Sequence, residues 1–446
     1  MLWDFFPYAT NPADSGWFNF YNPQLIDDVD GDLIADLIVT NGGDHTAPEW
    51  ETNRPPGHVM VLSSLDGSIL SQAVVPDSAE TYCSPILCEG PNGIKHVLFG
   101  TGGENLGGNF YACPLSSILN NSMEYVITLA SDSLKGFIAP PSIVFNSVSN
   151  AFDIYVLSYD GKLQKFSGFD FSEQWSFQHP ETESSAAPVI GNFTSDHTPD
   201  VFLTLFKGIA PSYSDFYQVM LDGSNGALKF IDSLGQINYA SGNAIDLNND
   251  GRDEAVTSLT YFINGYFEHR LEKIDFGTNT TAAITPLDAG VNFGSTPLFT
   301  DIDADGSLDL VYASKKDSLN PVGWNGIIVR RMNLGIPAPN SGIAWGSYLG
   351  SRYDGVYNNT AQFCSDNVVV ASANIENPSC NGSSDGSITL DVTGLAPPYT
   401  YHWTDGIYES SVDELTADTY IVRVTDANSC YDCLLYTSDA ADELRS

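Results

Sequence analysis

Between residues 28 and 309 the chain returns six times to one frame, a polar loop of nine positions that runs directly into an apolar stretch. The loops start at positions 28, 89, 145, 192, 246 and 301, so the intervals are 61, 56, 47, 54 and 55 residues. Pro85, Pro141, Pro188 and Pro297 each precede a loop start by four residues, which fixes the alignment independently of the acids. A recurring interval of this size means that one supersecondary unit is repeated, and that each unit buries its apolar face by stacking on its neighbours.

The units carry strand signals. Leu37-Ile38-Val39, Val201-Phe202-Leu203, Ala255-Val256 and Leu310 to Ala313 are apolar runs short enough for buried strands. Asp66-Gly67, Asp160-Gly161 and Asp222-Gly223 mark hairpins, because Asp-Gly supplies the positive φ that tight turns need. Glycine, tyrosine and phenylalanine number 39, 22 and 24, and no long amphipathic helical pattern interrupts them. The composition is all-β. Four short strands in each interval of about 55 residues is the arithmetic of a β-propeller blade, with six recognisable blades over residues 1–350 and a seventh left open.

The loops differ in charge. Asp301, Asp303, Asp305 and Asp309 occupy positions 1, 3, 5 and 9 of one loop, and Asp28, Asp30, Asp32 and Asp36 repeat the set. Asp246, Asn248, Asp250 and Glu254 repeat it with two changes, Asn192, Thr194, Asp196 and Asp200 form a weaker copy, and the loops at Glu89 and Phe145 have lost the acids. Carboxylates about 4 Å apart repel by on the order of 1 kcal/mol per pair even in water. A hard divalent cation relieves this, and calcium tolerates the irregular oxygen shell of a flexible loop better than magnesium does. Ca2+ is therefore the expected cofactor.

The strings at 28–36, 246–254 and 301–309 resemble the calcium loop D-x-D-G-D-G-x-x-D of FG-GAP, integrin-α-like propeller repeats. That resemblance covers about residues 1–350 and implies side-chain ligands at positions 1, 3, 5 and 9 with a main-chain carbonyl at position 7. Carried over, the carbonyl donors are Ile34, Arg252 and Ser307. Leu33 stands where the family has glycine, and Asn248 and Glu254 replace aspartates, which implies weaker binding in the Asp246 loop. The hairpins also look like quinoprotein blades, without further support for a quinone.

Gly342 to Tyr357 reads as a closing strand running into a linker at 351–372. Residues 373–432 form a second module whose alternating strands, Ser387–Val392, Tyr399–Trp403 and Thr419–Val424, fit a small Ig-like β-sandwich. Its strings N-P-S-C-N-G-S-S-D-G-S-I and T-Y-I-V-R-V-T-D-A-N-S-C resemble the gliding-motility adhesin repeat of the SprB type. This implies a secreted or cell-surface protein. Cys380 and Cys430 bracket the module, and a disulfide between them would contribute about 4 kcal/mol by closing the loop. Cys83, Cys88 and Cys113 read as buried free thiols, while Cys364 is left unassigned.

Residues 433–446 look like a translated sequencing adapter and are expected to be unstructured. Met1-Leu2-Trp3-Asp4 lacks a signal sequence, and Trp3-Asp4-Phe5 resembles Trp175-Ser176-Phe177, so the chain is expected to begin on the last strand of an earlier blade. A net charge of −39 excludes nucleic acid and anionic membranes as partners, and no run is long enough for membrane insertion. Gly382 to Gly386 satisfies G-x-S-x-G by chance, since a strand follows it within a β module. The expected function is non-enzymatic, calcium-dependent adhesion to a glycan or cell-surface protein. Lys316–Asn325 and Phe206–Phe216 are the candidate contact loops. The alternatives are a calcium-dependent polysaccharide lyase or glycoside hydrolase, and a structural spacer of a larger adhesin.

Overall fold

The computed structural model of the chain describes residues 20–42, 55–357 and 370–437, apart from 147–148, 195, 197, 293, 304, 322, 324, 340–341, 380–382, 394–398, 404–408, 418 and 426–430. The chain divides into two compact units, and among the described residues the first continues to Tyr357.

Among the described residues the first unit is a β-propeller of six sheets in chain order. The first sheet is an antiparallel meander of Phe20–Ile26, Asp36–Asn41, His58–Leu62 and Ile69–Val74. The second runs Ile86–Glu89, Lys95–Gly100, Gly108–Pro114 and Ile127–Asp132, and the third Ser142–Asn146, Ala151–Leu157, Lys162–Ser167 and Glu173–Gln178. In the fourth, Val189–Gly191, Asp200–Ile209, Ser212–Leu221 and Leu228–Ser233 are joined by Thr182–Glu183. The fifth holds Asn243–Ile245, Glu254–Ile263, Tyr266–Asp275 and Thr280–Ala283, with Asp288–Ala289 paired to its third strand. The sixth shows Leu298–Thr300, Ser307–Lys315 and Ile327–Pro337. Every nine-residue loop thus joins the first and second strands of a sheet. The Asp-Gly turns at Asp66 and Asp222 join third and fourth strands, so in an antiparallel meander they share the loops' end.

Gly342–Tyr357 does not close a blade. Trp345 exchanges both backbone hydrogen bonds with Ala244 of the fifth sheet, at 3.0 and 3.1 Å, and Gly346 accepts from the Phe299 N–H of the sixth at 2.9 Å. Further on, Tyr353 accepts from Gln24 and donates to Asn22 in the first sheet. Gly355 lies so close to Ile86 of the second that an added Cβ would stand 2.6 Å away. Val356–Tyr357 pairs in parallel with Ile143 and Val144 of the third. Trp345, fully buried, also belongs to the apolar cluster that contains Val189 and Ile190 of the fourth. One short segment that reaches the first strand of every sheet must run along their common centre. Residues 351–357 are therefore propeller rather than linker, because apolar first strands need an apolar filling.

The segment Phe206–Phe216 is corrected as well. It is the tip of a long hairpin between Asp200–Ile209 and Ser212–Leu221, and Phe206 and Phe216 are buried among Tyr213 and Tyr239 instead of facing solvent. Lys316–Asn325 does form a connection, organised by Asp317, which accepts from Leu319, Asn320 and Asn325.

The second unit has two three-stranded sheets, Val370–Glu376, Gly386–Thr393 and Ser411–Leu415 against Thr400–Trp403, Thr419–Thr425 and Tyr431–Thr437. Ile388, Leu390, Trp403, Val412, Leu415, Val422 and Val424 form its core. The Trp403 indole donates to the Glu409 carbonyl at 2.9 Å, so burial leaves its polar atom satisfied. Residues 433–437 are not unstructured: Tyr431–Thr437 pairs along its whole length with Thr419–Thr425. Tyr, Leu and Thr favour strands whatever their origin, and the edge of Thr419–Thr425 offers a template. Residues 438–446, the first nineteen residues with Trp3, and Cys364, Cys380 and Cys430 lie outside the described residues.

Candidate metal loops

In the first loop, one carboxylate oxygen from each of Asp28, Asp30 and Asp36 falls within 4.8 Å of the others. The backbone aims these groups. Asp28 accepts from Gly31 and Leu33 at 2.7 and 2.8 Å, and Asp36 accepts from Val29 at 2.9 Å through Oδ2. The N–H donors of Gly31 and Leu33 hold the Asp28 carboxyl below its ordinary range. Desolvation, with the charges of Asp32, Asp36 and Asp28, raises Asp30 despite an N–H bond from Asp32. Asp36 is 0% exposed, and its Oδ1 has no hydrogen-bond partner. A buried, orphaned oxygen on a carboxylate gathered with two further acids fits a cation. Asp32 stands apart from this trio, with Oδ1 accepting from Ile34 and a buried Oδ2 unpartnered.

Backbone conformation ties the loops together. Gly251 and Gly306, at position 6, have φ of 87° and 84°, and Leu33 at the same position has φ of 69°. A leucine is held in the left-handed region with its side chain 93% exposed, where nothing but the loop's geometry requires it.

The Asp301 loop brings Asp303 and Asp309 within the same distance of Asp301. Here, however, Arg331 reaches over from the third strand, its Nη2 lying 2.8 Å from Asp309 Oδ2 and also bonding Asp303. The guanidinium lowers Asp309, and its own affinity for protons is raised in return. Asp305 accepts from Ser307 and Asn333. In the Asp246 loop, Asp246 accepts from Asp250 and Gly251, and Asn248 donates to Asp250 and Glu254. Arg252 donates its N–H to Asp250, and Lys273 Nζ lies 3.4 Å from Glu254 Oε1.

The Asn192 loop does not assemble. Asn192 turns its amide to the Gly251 carbonyl of the next sheet at 3.0 Å, and its N–H donates to Asp253 at 2.7 Å. Thr194 donates its N–H to Asp200, Asp196 accepts from Thr198, and burial pushes Asp200 up to about 6. Asn192 is thus tied to the neighbouring sheet, while Thr194, Asp196 and Asp200 bond within their own sheet.

Sequence reasoning missed the cations on third strands and two further features. On the loop face, Phe193, Phe230, Phe276, Lys229 and Arg252 line a hollow of about 390 Å³ between the fourth and fifth sheets. At the opposite end, Glu183 is bonded by Lys135 at 2.8 Å and by the Tyr213 hydroxyl at 2.8 Å, and Tyr213 meets Tyr159 at 2.9 Å. Cys83, Cys88 and Cys113 are free and buried, and burial pushes each thiol up to about 12, which keeps them unreactive.

Residues 372–406 match the SprB repeat family model, so the second unit contains a repeat of the kind found in cell-surface adhesins. No curated protein matches the chain. Among solved structures, BamB from Moraxella catarrhalis is similar at 11% identity and TM-score 0.33, covering 94% of this chain and 100% of that one. Quinohemoprotein alcohol dehydrogenase from Comamonas testosteroni gives 10% identity and TM-score 0.39, covering 68% and 66%. The GH93 α-L-arabinofuranosidase of Fusarium graminearum in complex with arabinobiose gives 12% and 0.35, covering 71% and 95%. At these scores the overlays carry no weight, and the six-sheet arrangement itself defines the fold. No helix among the described residues is long and apolar enough to cross a membrane.

Proposed function

We propose that this chain is a cell-surface adhesion protein in which a calcium-stabilised propeller presents a binding surface for a glycan or a surface protein. The observation that carries the reading is the SprB repeat at 372–406, joined in one chain to a propeller with acidic loops. The filled axis favours it too: Trp345 and Leu349 are fully buried at the centre, so recognition falls to the faces and rim. On the loop face, the hollow of Phe193, Phe230 and Phe276 offers ring faces for sugar C–H groups, and Arg252 and Lys229 offer donors for sugar hydroxyls or carboxylates.

A polysaccharide-cleaving enzyme is the second reading, favoured by the convergence of Lys135, Glu183, Tyr159 and Tyr213. Burial raises both phenols above their ordinary range, which suits them as hydrogen-bond donors better than as bases. The experiment is a polysaccharide and glycoprotein panel in calcium and in chelator, scoring retention and the release of reducing or unsaturated ends. Retention that is lost in Arg252→Ala without product supports adhesion. Product that disappears in Tyr213→Phe overturns it.

A further inference from the structure

One position on the third strand of each sheet lies diagonal to the ninth residue of its loop. In the third sheet Tyr155, two residues beyond Asp153, pairs with Lys165, and Lys165 Nζ is 2.8 Å from Asp153. In the fifth, Val256, two beyond Glu254, pairs with Lys273, which bonds Glu254. In the sixth, Val311, two beyond Asp309, pairs with Arg331, which bonds Asp309 and Asp303. Residues two apart share one face of a strand, and a diagonal neighbour on the adjacent strand is within reach of a long side chain. Elsewhere the same register holds Val61, Tyr111 and Met220, paired with Ile38, Phe99 and Phe202.

We infer that this third-strand position decides which loop takes a divalent cation: Lys273 and Arg331 neutralise the fifth and sixth sheets from within, and the Asp28 loop of the first sheet is the calcium site. The second sheet has Val97 at position 9 and nothing to neutralise, and the fourth has already committed Asn192 to its neighbour. The first sheet alone among the described sheets combines a gathered acidic trio with an apolar residue at the diagonal. Its Asp36 Oδ1, buried and unpartnered, corresponds to the oxygen that Lys273 and Arg331 satisfy in the fifth and sixth sheets. A dication seated on Asp303 and Asp309 would lie against the Arg331 guanidinium, so each excludes the other.

This inference rests on the calcium reading of the proposed function and is separable from it. Calcium is titrated calorimetrically into the full chain after chelator treatment and dialysis, with circular dichroism to show that each variant is folded. Wild type is expected to bind one ion tightly, Asp30→Asn to weaken that event at least tenfold, and Asp303→Asn to leave it unchanged. Arg331→Met should add a second event. Asp30 and Asp303 lie in exposed loops, so their variants keep the test open if Arg331→Met does not fold. Loss of a tight event in Asp303→Asn, or an Arg331→Met chain that folds and still binds one ion, overturns the inference alone. Absence of any calcium event in wild type overturns the calcium reading and this inference together.

Discussion

Lys165 and Asp153 form an ion pair 2.8 Å long in the interior of the third sheet, with side chains only 5% and 6% exposed. The loop above them carries no other carboxylate, so Lys165 meets a single acid there. Lys165 also donates to the Gly223 carbonyl at 3.1 Å and lies over the Tyr155 ring, which carries its charge into the fourth sheet. Lys165→Met should lower stability by about 3–5 kcal/mol, because Asp153 is left as a buried charge without a counterion. Adding Asp153→Asn should recover much of the loss. Urea denaturation of the two variants checks both statements.

Leu33→Gly should stabilise the propeller by about 1 kcal/mol, since glycine adopts the left-handed conformation that leucine is forced into here. The side chain is almost wholly exposed and gives up little on removal. A melting temperature that falls would show that Leu33 makes a contact which its exposure conceals.

Trp345→Ala should cost about 3–5 kcal/mol, the usual range for truncating a large buried aromatic. Its loss bears on all the sheets at once, so the propeller transition is expected to move as a whole in a thermal melt. A second, lower transition confined to one part of the propeller would contradict a shared centre.

His269 is fully buried, and desolvation lowers its pKa, with Asp288 opposing and Arg330 assisting. Above its ordinary pKa of about 6.5 the ring is neutral in both states and contributes its full stability. As pH falls below that value the unfolded chain takes up a proton that the folded chain resists, so stability is lost. His269→Phe should flatten this part of the pH–stability curve while keeping the edge contact with Tyr312. Parallel curves for the two proteins below about pH 6.5 would refute it.

Deleting residues 431–446 should lower the stability of the second unit, because Thr419–Thr425 loses its partner strand along one edge. Differential scanning calorimetry should show the sandwich transition shifting while the propeller transition stays in place.

The repeat interval, the strand runs and the Asp-Gly turns made the propeller legible in the sequence, because each depends on neighbours a few residues apart. The acidic trios around Asp28 and Asp301 were legible for the same reason. Arg331 was not. It lies 22 residues beyond Asp309, Lys273 lies 19 beyond Glu254, and Lys165 lies 12 beyond Asp153, so no common spacing marks a register set by hairpins of different length. The tie between Asn192 and the Gly251 carbonyl was not legible either, because the two belong to different sheets. The central role of Ile343 to Tyr357 was hidden too, since its few apolar residues show no strand or helix period and gain meaning only from the six surfaces around them.

That central segment also sets an order of events during synthesis. Domains form as the chain leaves the ribosome at about 5–20 residues per second, and all six sheets emerge before residue 343 does. Until then their first strands border an open well with nothing to occupy it, and Ile86, Ile143, Val189 and Ala244 stay available to any passing apolar surface. The ring thus acquires its hub only when Trp345 and Leu349 have emerged.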